Sequence, residues 1–170
     1  MTSATAIGTT QVYRVYIKAT PQAIWDAITN PDWTERYGYG GRGEFDLRPG
    51  GAYTGYSSEG MRSSGAPDVA VDGEVLEVDP PRKLVQTFRM VMDPAMAAQG
   101  FTRVTYDIEE RKNGVTRVTL THELEGAPTL AVLMSGGMED QGAGGGWNWV
   151  LSGLKTLLET GQSLDPAGHQ

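Results

Sequence analysis

His122 is the side chain of this sequence best suited to acid–base chemistry, since the chain has two histidines and the other lies near its end, at position 169. An imidazole changes charge near neutral pH, so it can move a proton or hydrogen-bond a ligand. The alternation of residues 115–124 places His122 on the same strand face as Leu120, which we expect to face inward. Two interpretations follow: a satisfied core histidine, or a group that contacts a ligand or transfers a proton. Tyr106, on the predicted partner strand, is the second candidate for proton transfer.

Residue sets for metal binding or covalent catalysis are missing from the sequence. It contains no cysteine, and no second histidine lies near His122, so we expect no transition-metal site. Residues 122–125 (HELE) belong to a predicted strand and therefore do not form a zinc-protease helix. No serine stands in a G-x-S-x-G context, and the carboxylates alternate onto outward positions or turns. The sequence predicts neither a metal nor another cofactor and favours binding over covalent chemistry.

Residues 38–43 (GYGGRG) match the G-x-G-x-x-G pattern of dinucleotide-binding loops. Such a loop needs a strand before it and a helix after it, so that the helix N-terminus meets the pyrophosphate. Here helical signals precede the glycines and a strand pattern follows them. We therefore predict a flexible connection near the mouth of a pocket rather than a nucleotide site.

Aromatic and methionine side chains indicate a different chemistry, the binding of an apolar molecule. Methionine adapts to irregular shapes, and tyrosine adds a polar group to a large apolar ring. A core role is the ordinary interpretation of such residues, and a deformable cavity is the functional one. The predicted ligand-binding set is Tyr53, Phe88, Met90, Met92, Met96, Tyr106, Leu120, His122, Trp147, Val150, Leu151 and Leu154.

The elements that would position these residues begin with a half-buried strand over 11–18. Thr20 as N-cap and Pro21 at the first helical position predict a short helix that ends near Asn30, followed by one more helical turn within 32–37. Strand patterns then dominate the chain. They cover residues 44–48, 52–56, 68–79, 83–92, 102–111 and 115–124.

Local signals define several connections between these strands. Asn113-Gly114 predicts a tight hairpin that sets one inward-facing row against another. A change of phase within 68–79 predicts a β-bulge near Val75. We predict a long loop over 57–67, and one helical turn within 93–100 that could act as a lid. The paired inward rows are Val104, Tyr106 and Ile108 opposite Val118, Leu120 and His122.

The last regular segment of the chain carries one apolar stripe at helical spacing. Because strands dominate residues 42–125, this helix must pack on a sheet. A long helix across one strongly curved sheet cannot easily fill the space between them, so we expect a pocket there. Residues 126–146 are predicted to be loop and loose helix. The stripe consists of Trp147, Val150, Leu151, Leu154, Leu157 and Leu158.

Length and charge limit the possible partners. At 170 residues the chain fits one domain, which we place at 11–161 with flexible tails at 1–10 and 162–170. Twenty-one acidic against 14 basic residues give a net charge of −7, which disfavours nucleic acid as a partner. The start MTSATAIGTT lacks a signal-peptide pattern, and no apolar run is long enough for membrane insertion. We expect a cytoplasmic monomer or homodimer whose partner is a small hydrophobic molecule.

Short segments along the chain resemble one protein family. They are 19–21 (ATP), 29–31 (TNP), 48–51 (RPGG), 73–76 (GEVL), 80–84 (PPRKL), 120–122 (LTH) and 146–147 (GW). With the element order, they resemble the activator of Hsp90 ATPase homologue 1-like group of the SRPBCC superfamily, from residue 11 to 161. The resemblance implies an α+β helix-grip fold of the Bet v 1/START type: a curved antiparallel sheet of about seven strands around a long C-terminal helix, with two short helices after strand 1. Many bacterial members are stand-alone single domains of unassigned activity.

Three functions remain open at this point. The first is binding of a small hydrophobic or aromatic ligand, such as a lipid, metabolite or polyketide-like molecule, between the sheet and the C-terminal helix. The second is a cyclase, aromatase or dehydratase that uses the same cavity without a metal or nucleotide cofactor, with His122 and Tyr106 handling protons. The third, implied by the family name, is regulation of an Hsp90-type chaperone ATPase.

Overall fold

The computed structural model of the protein describes residues 9–165, so residues 1–8 and 166–170 of the two predicted tails lie outside it. Seven antiparallel strands form one sheet in the order β1-β7-β6-β5-β4-β3-β2. The strands are β1 (Thr10–Ile17), β2 (Gly43–Phe45), β3 (Ala52–Tyr56), β4 (Val69–Asp79), β5 (Lys83–Met90), β6 (Thr102–Glu110) and β7 (Thr116–Glu123). The helices are α1 (Pro21–Thr29), α2 (Pro31–Thr34), α3 (Glu59–Ser63), α4 (Pro94–Ala97), α5 (Pro128–Met134) and α6 (Gly146–Thr160), with a 3-10 turn at Glu139–Gln141.

This arrangement confirms the predicted α+β architecture. Two short helices follow β1, six further strands complete the sheet, and the longest helix comes last. None of the helices within residues 9–165 has the length and apolar character needed to cross a membrane.

The caps predicted for the first helices are present. The Thr20 hydroxyl accepts a hydrogen bond from the Ala23 N–H at 3.1 Å, which satisfies one free donor of the first turn of α1. Asn30 ends α1, and its side-chain oxygen accepts from the Asp32 N–H at 2.9 Å, so the same residue begins α2. The caps hold α1 with its apolar side, including Ile24, in the core.

The hairpin of β6 and β7 has the predicted register. Val104 lies opposite His122, Tyr106 opposite Leu120, and Ile108 opposite Val118. The bulge predicted near Val75 is also present, as a register shift between Val75 and Glu77 where β4 pairs with β5. A second shift lies in β3, between Gly55 and Tyr56. Bulges bend and twist a sheet, so these two curve its β3–β4 part.

Two connections carry more structure than a loop. The single helical turn predicted within 93–100 is confirmed as α4, and the Asp93 carboxylate accepts from the Ala95 N–H at 2.9 Å. The prediction of a long loop over 57–67 was wrong for residues 59–63, which form α3. The Ser58 hydroxyl caps this helix by accepting from the Met61 N–H at 3.2 Å. A serine cap followed by an acidic first turn stabilised this turn, although small residues surround it.

The terminal helix α6 lies toward one end of the sheet. It packs chiefly against β1, α1 and α5. The Lys155 ammonium donates to the Tyr16 carbonyl at 2.6 Å, and the Glu159 carboxylate accepts from the Lys18 N–H at 2.8 Å. The helix therefore covers the β1 end of the sheet. Fully buried core residues at this end include Ile17, Val104, Val118, Leu120 and Leu154.

Candidate functional site

A cavity of about 510 Å³ lies between the other half of the sheet and the first turns of α6. Its wall combines strands β2 to β6, the loop of residues 37–43, the short helices α3 and α4, the segment 133–143 and α6. The volume falls within the range of small-molecule sites. It exists because the bent strands curve away from a helix that is fixed at the β1 edge.

Eight of the twelve predicted ligand-binding residues line this cavity. Three come from β5 and the residues after it, one from α4, two from the strands β3 and β6, and two from α6. They are Tyr53, Phe88, Met90, Met92, Met96, Tyr106, Trp147 and Val150.

The other four predicted residues are in the core and do not line the cavity. Leu151 and Leu154 lie on the face of α6 that packs into the hydrophobic core, whereas Trp147 and Val150 lie beside the open space. Leu120 and His122, on β7, are fully buried. The alternation of β7 correctly predicted that both side chains face inward. Because α6 and its Trp147 cover this part of the sheet, neither side chain lines the cavity.

Methionine is concentrated on the cavity wall. Six of the seven methionines of the chain line it, from four separate segments. Flexible thioether side chains let a wall adapt to an irregular guest. The prediction included three of them and missed Met61, Met134 and Met138, because the segments that carry these residues had no strand or helix pattern to show which way they face.

The glycine-containing loop 37–43 forms another part of the wall. Its glycines were predicted to lie near the mouth of a pocket, but none of its residues was in the predicted ligand-binding set. The Tyr39 hydroxyl accepts from the Gly146 N–H at 2.9 Å, the Trp149 indole N–H donates to the Gly38 carbonyl at 2.9 Å, and the Tyr37 hydroxyl donates to the Ala27 carbonyl at 2.9 Å. These bonds tie the loop to α1 and α6. Helix α2 precedes the loop and β2 follows it, the reverse of the order in a dinucleotide-binding motif.

His122 belongs to a chain of hydrogen bonds in the core. The Trp147 indole N–H donates to His122 Nδ1 at 3.0 Å. Since indole nitrogen is only a donor, Nδ1 must accept, and the imidazole proton resides on Nε2. His122 Nε2–H then donates to Thr102 Oγ1 at 2.7 Å, and the Thr102 hydroxyl donates to the Phe88 carbonyl at 2.9 Å. We call this chain, from Trp147 through His122 and Thr102 to the Phe88 carbonyl, the histidine network.

The environment of His122 keeps it neutral. The residue is 0% exposed, and burial lowers the pKa of its imidazole to about 3. Both ring nitrogens are paired within the protein, so neither faces the cavity. The geometry agrees with the first interpretation of His122, a satisfied core histidine, and gives it the role of holding Trp147 in the cavity wall.

Tyr53 and Tyr106 are half-buried and differ from His122 in having no hydrogen-bond partner within the described residues. Both line the cavity, and their hydroxyls make no hydrogen bond to any of the residues 9–165. Burial raises the pKa of both phenols above the ordinary value, and the neighbouring Tyr53 and Tyr37 raise the pKa of Tyr106 further. Both groups are therefore neutral O–H donors. We call Tyr53 and Tyr106 the tyrosine pair.

Charge is confined to the rim of the cavity. Among the described residues, Arg42 and Asp93 are the charged members of its lining. Arg42 pairs with Glu44 at 2.9 Å and with Glu35 at 3.9 Å, and Asp93 caps α4. No cluster of three or more potential metal ligands occurs within residues 9–165. The interior offers apolar surface and phenol hydroxyls.

Comparison with known proteins identifies a family. The model of the family described as "Activator of Hsp90 ATPase homolog 1-like protein" matches residues 18–159. No curated protein matches the chain.

Solved structures share the fold at low sequence identity. A protein from Nitrosomonas europaea has a TM-score of 0.65 at 18% identity, with 91% of this chain and 97% of that chain covered. The Aha1 dimer from Colwellia psychrerythraea has a TM-score of 0.62 at 19% identity, with 91% and 98% covered. DynU16, a protein of the dynemicin biosynthetic locus, has a TM-score of 0.62 at 19% identity, with 91% of this chain and 49% of that chain covered. At these identities the likeness shows the fold alone.

Proposed function

The chain belongs to the activator of Hsp90 ATPase homolog 1-like family, and from that premise we propose that it binds one small, largely apolar or aromatic molecule, such as a lipid, a metabolite or a polyketide-like compound. The observation that carries the proposal is the cavity of about 510 Å³ between the sheet and α6. Protein interiors are otherwise packed as densely as organic crystals. A space of this size with mainly apolar walls supports a guest-binding role.

Burial of the guest supplies the affinity. Removing about 300 Å² of apolar ligand surface from water at about 25 cal/mol per Å² contributes about 7.5 kcal/mol. That is close to the free energy of a micromolar complex, about 8.2 kcal/mol, before the costs of ordering the partners are subtracted. The methionines of the wall allow these contacts to form around guests of different shape.

The proposal is tested by filling the cavity. The uncharged fluorophore N-phenyl-1-naphthylamine serves as probe, and Val150→Phe narrows the space from α6. Val12→Phe is the matched control, because Val12 is 50% exposed on β1 and does not line the cavity. We expect wild type and Val12→Phe to bind the probe equally and Val150→Phe to bind it about tenfold more weakly or not at all.

Two results would contradict ligand binding. One is the absence of saturable probe binding to folded wild-type protein. The other is equal affinity in all three proteins, with thermal unfolding showing that Val150→Phe is folded, since the probe would then bind elsewhere.

A reaction in the same cavity is the second candidate function. It is favoured by the Tyr106 hydroxyl on the wall and by the fold shared with DynU16. Of the two groups predicted to handle protons, His122 lies behind the wall, so Tyr106 is the one left to contact a guest. Liquid chromatography with mass spectrometry of a compound before and after incubation distinguishes the two. Binding returns the compound with the same retention time and mass, and catalysis changes one or both.

A chaperone partner is the third candidate, and it is supported by the family description. It predicts a complex with a bacterial Hsp90-type ATPase and a change in its ATPase rate. A pull-down and a coupled ATPase assay measure both. Light scattering on a sizing column determines whether this cytoplasmic protein, as we propose it to be, is a monomer or, like the Colwellia psychrerythraea protein, a dimer.

A further inference from the structure

We infer that the guest is an aromatic ketone or quinone, with a neutral carbonyl oxygen that accepts hydrogen bonds from the tyrosine pair, Tyr53 and Tyr106. This inference rests on the proposed function and adds the chemical class of the ligand. It begins from two phenol hydroxyls that line one cavity and have no partner among residues 9–165.

Their open hydroxyls distinguish Tyr53 and Tyr106 from the other tyrosines of the described wall. Tyr37, Tyr39 and Tyr56 each have a hydrogen-bond partner in the protein. A guest that fills the cavity excludes water from these half-buried hydroxyls. Leaving either donor unpaired in the complex would cost about 1–3 kcal/mol, which native structures rarely accept. Two such donors in one apolar space therefore point to an acceptor that arrives with the guest.

A carbonyl is the acceptor that fits this pair. Tyr53 and Tyr106 line the same cavity, so one guest can contact both. A carbonyl oxygen has two lone pairs and can accept from two O–H groups at once. A guest with only N–H donors would leave both tyrosine protons unpaired, and an unpaired donor is the less tolerated defect.

The charges around the cavity favour a neutral acceptor over a carboxylate. Arg42, the cation of the described lining, is at the rim and already paired with Glu44 and Glu35. A buried carboxylate without a cationic partner is strongly disfavoured. Burial also raises the pKa of both phenols, the sign of a site that resists negative charge.

Aromatic rings flank the tyrosine pair, which favours a flat guest. Tyr53 packs on Phe45 with ring centroids 4.6 Å apart, and Tyr106 meets the Trp147 ring edge-on at 6.5 Å. Glycine at position 55 keeps space open at one hydroxyl, because a Cβ there would lie 3.0 Å from the Tyr53 oxygen. An aromatic ring system that ends in a carbonyl fits apolar walls with two donors.

The test compares two probes that differ in one group. 2-Acetylanthracene carries a ketone, and 2-isopropenylanthracene replaces its oxygen with a CH₂ of nearly the same shape. Both are titrated into wild type, into the double variant Tyr53→Phe/Tyr106→Phe, and into Tyr16→Phe, a control on the outer face of β1 where Tyr16 is 51% exposed. Thermal unfolding verifies that each variant is folded.

We expect wild type and Tyr16→Phe to bind the ketone about tenfold or more tightly than the alkene, as one or two neutral hydrogen bonds would produce. The double variant should bind both probes equally. The infrared C=O stretch of the bound ketone should lie at lower frequency in wild type than in the double variant.

Each contrary result has a distinct meaning. Equal affinity of wild type for both probes overturns the carbonyl inference and leaves apolar binding intact. A preference for the ketone that survives in the double variant also overturns it, because the tyrosines would not be its source. Binding of neither probe, together with no binding of N-phenyl-1-naphthylamine, overturns the proposed function itself.

Discussion

The histidine network and the tyrosine pair lie on the same inner face of the sheet, yet the fold treats their polar atoms in opposite ways. Both nitrogens of His122 and the hydroxyl of Thr102 are paired within the protein. The hydroxyls of Tyr53 and Tyr106 face open space without a partner in residues 9–165. The difference teaches that an inward-facing polar side chain indicates function when its hydrogen bonds are left open, and structure when they are complete.

Trp147 connects the two regions. Its ring lines the cavity and meets Tyr106 edge-on, while its indole N–H donates to His122. A substitution in the core that shifts the Trp147 ring would therefore also move the cavity wall. His122 contributes to ligand binding through the position of this ring and not through contact with the guest.

The largest effect should come from His122→Phe. The substitution keeps a ring but leaves the buried Trp147 N–H without an acceptor, so we expect the free energy of unfolding to fall by about 3 kcal/mol. Urea denaturation measures this free energy. The control is Tyr106→Phe, which removes a polar group on the cavity side instead of one in the core. A loss below about 1 kcal/mol would contradict a structural role for the histidine network.

Thr102→Val should have the next largest effect. Valine preserves the shape but removes the acceptor of His122 Nε2–H and the donor to the Phe88 carbonyl, which should cost about 2 kcal/mol. Thr105→Val on the same strand is the control, because no side-chain hydrogen bond involves Thr105 among the described residues. Equal losses in the free energy of unfolding for both variants would show that the hydrogen bonds of the histidine network do not contribute to stability.

The pH dependence of stability should show a smaller effect from the same network. The folded-state pKa of His122, about 3, lies below the ordinary 6.5, so its contribution is complete above pH 6.5 and is lost as the pH falls toward 3. Between pH 7.5 and 5.5 we expect wild type to lose about 1.4 kcal/mol relative to His122→Phe. If the free energies of unfolding of the two proteins changed in parallel over this interval, the pKa of His122 would be the same in the folded and unfolded states. That result would contradict the account.

The smallest effect should come from the tyrosine pair in the absence of ligand. Tyr53→Phe and Tyr106→Phe each remove a half-buried hydroxyl that makes no hydrogen bond to the described part of the chain. The free energy of unfolding should therefore change by less than about 0.5 kcal/mol. Thermal or urea unfolding of the apo protein measures this change. A loss above about 1.5 kcal/mol in either variant would mean that the hydroxyl has an internal partner and belongs with the histidine network.

Periodicity and turn signals were sufficient to predict most of the fold. The pairing of β6 with β7 followed from Asn113-Gly114, the bulge from the phase change near Val75, and α6 from its apolar stripe. Each of these is a local pattern that few alternative structures satisfy. The helix α3 was missed because its five residues include glycine and serine, and its local signals are limited to the Ser58 cap and the acidic Glu59.

The candidate site was predictable only in part, for a geometric reason. Strand parity shows which side chains face inward, but not whether a helix covers them. His122 and Tyr106 both face inward on neighbouring strands, and only the position of α6 places the first in the core and the second on the wall. Tyr37 and Tyr39 were missed as wall residues because a glycine-containing loop has no periodicity.

The methionine methyl groups allow the most direct test of the central claim, that this space receives an apolar guest. In protein labelled with ¹³C at methionine and leucine methyls, 2-acetylanthracene should shift the signals of Met61, Met90, Met92, Met96, Met134 and Met138 with one common saturation curve, and leave the core signals of Leu120 and Leu124 in place. Unchanged methionine signals at saturating probe, or equal shifts at the core leucines, would contradict it.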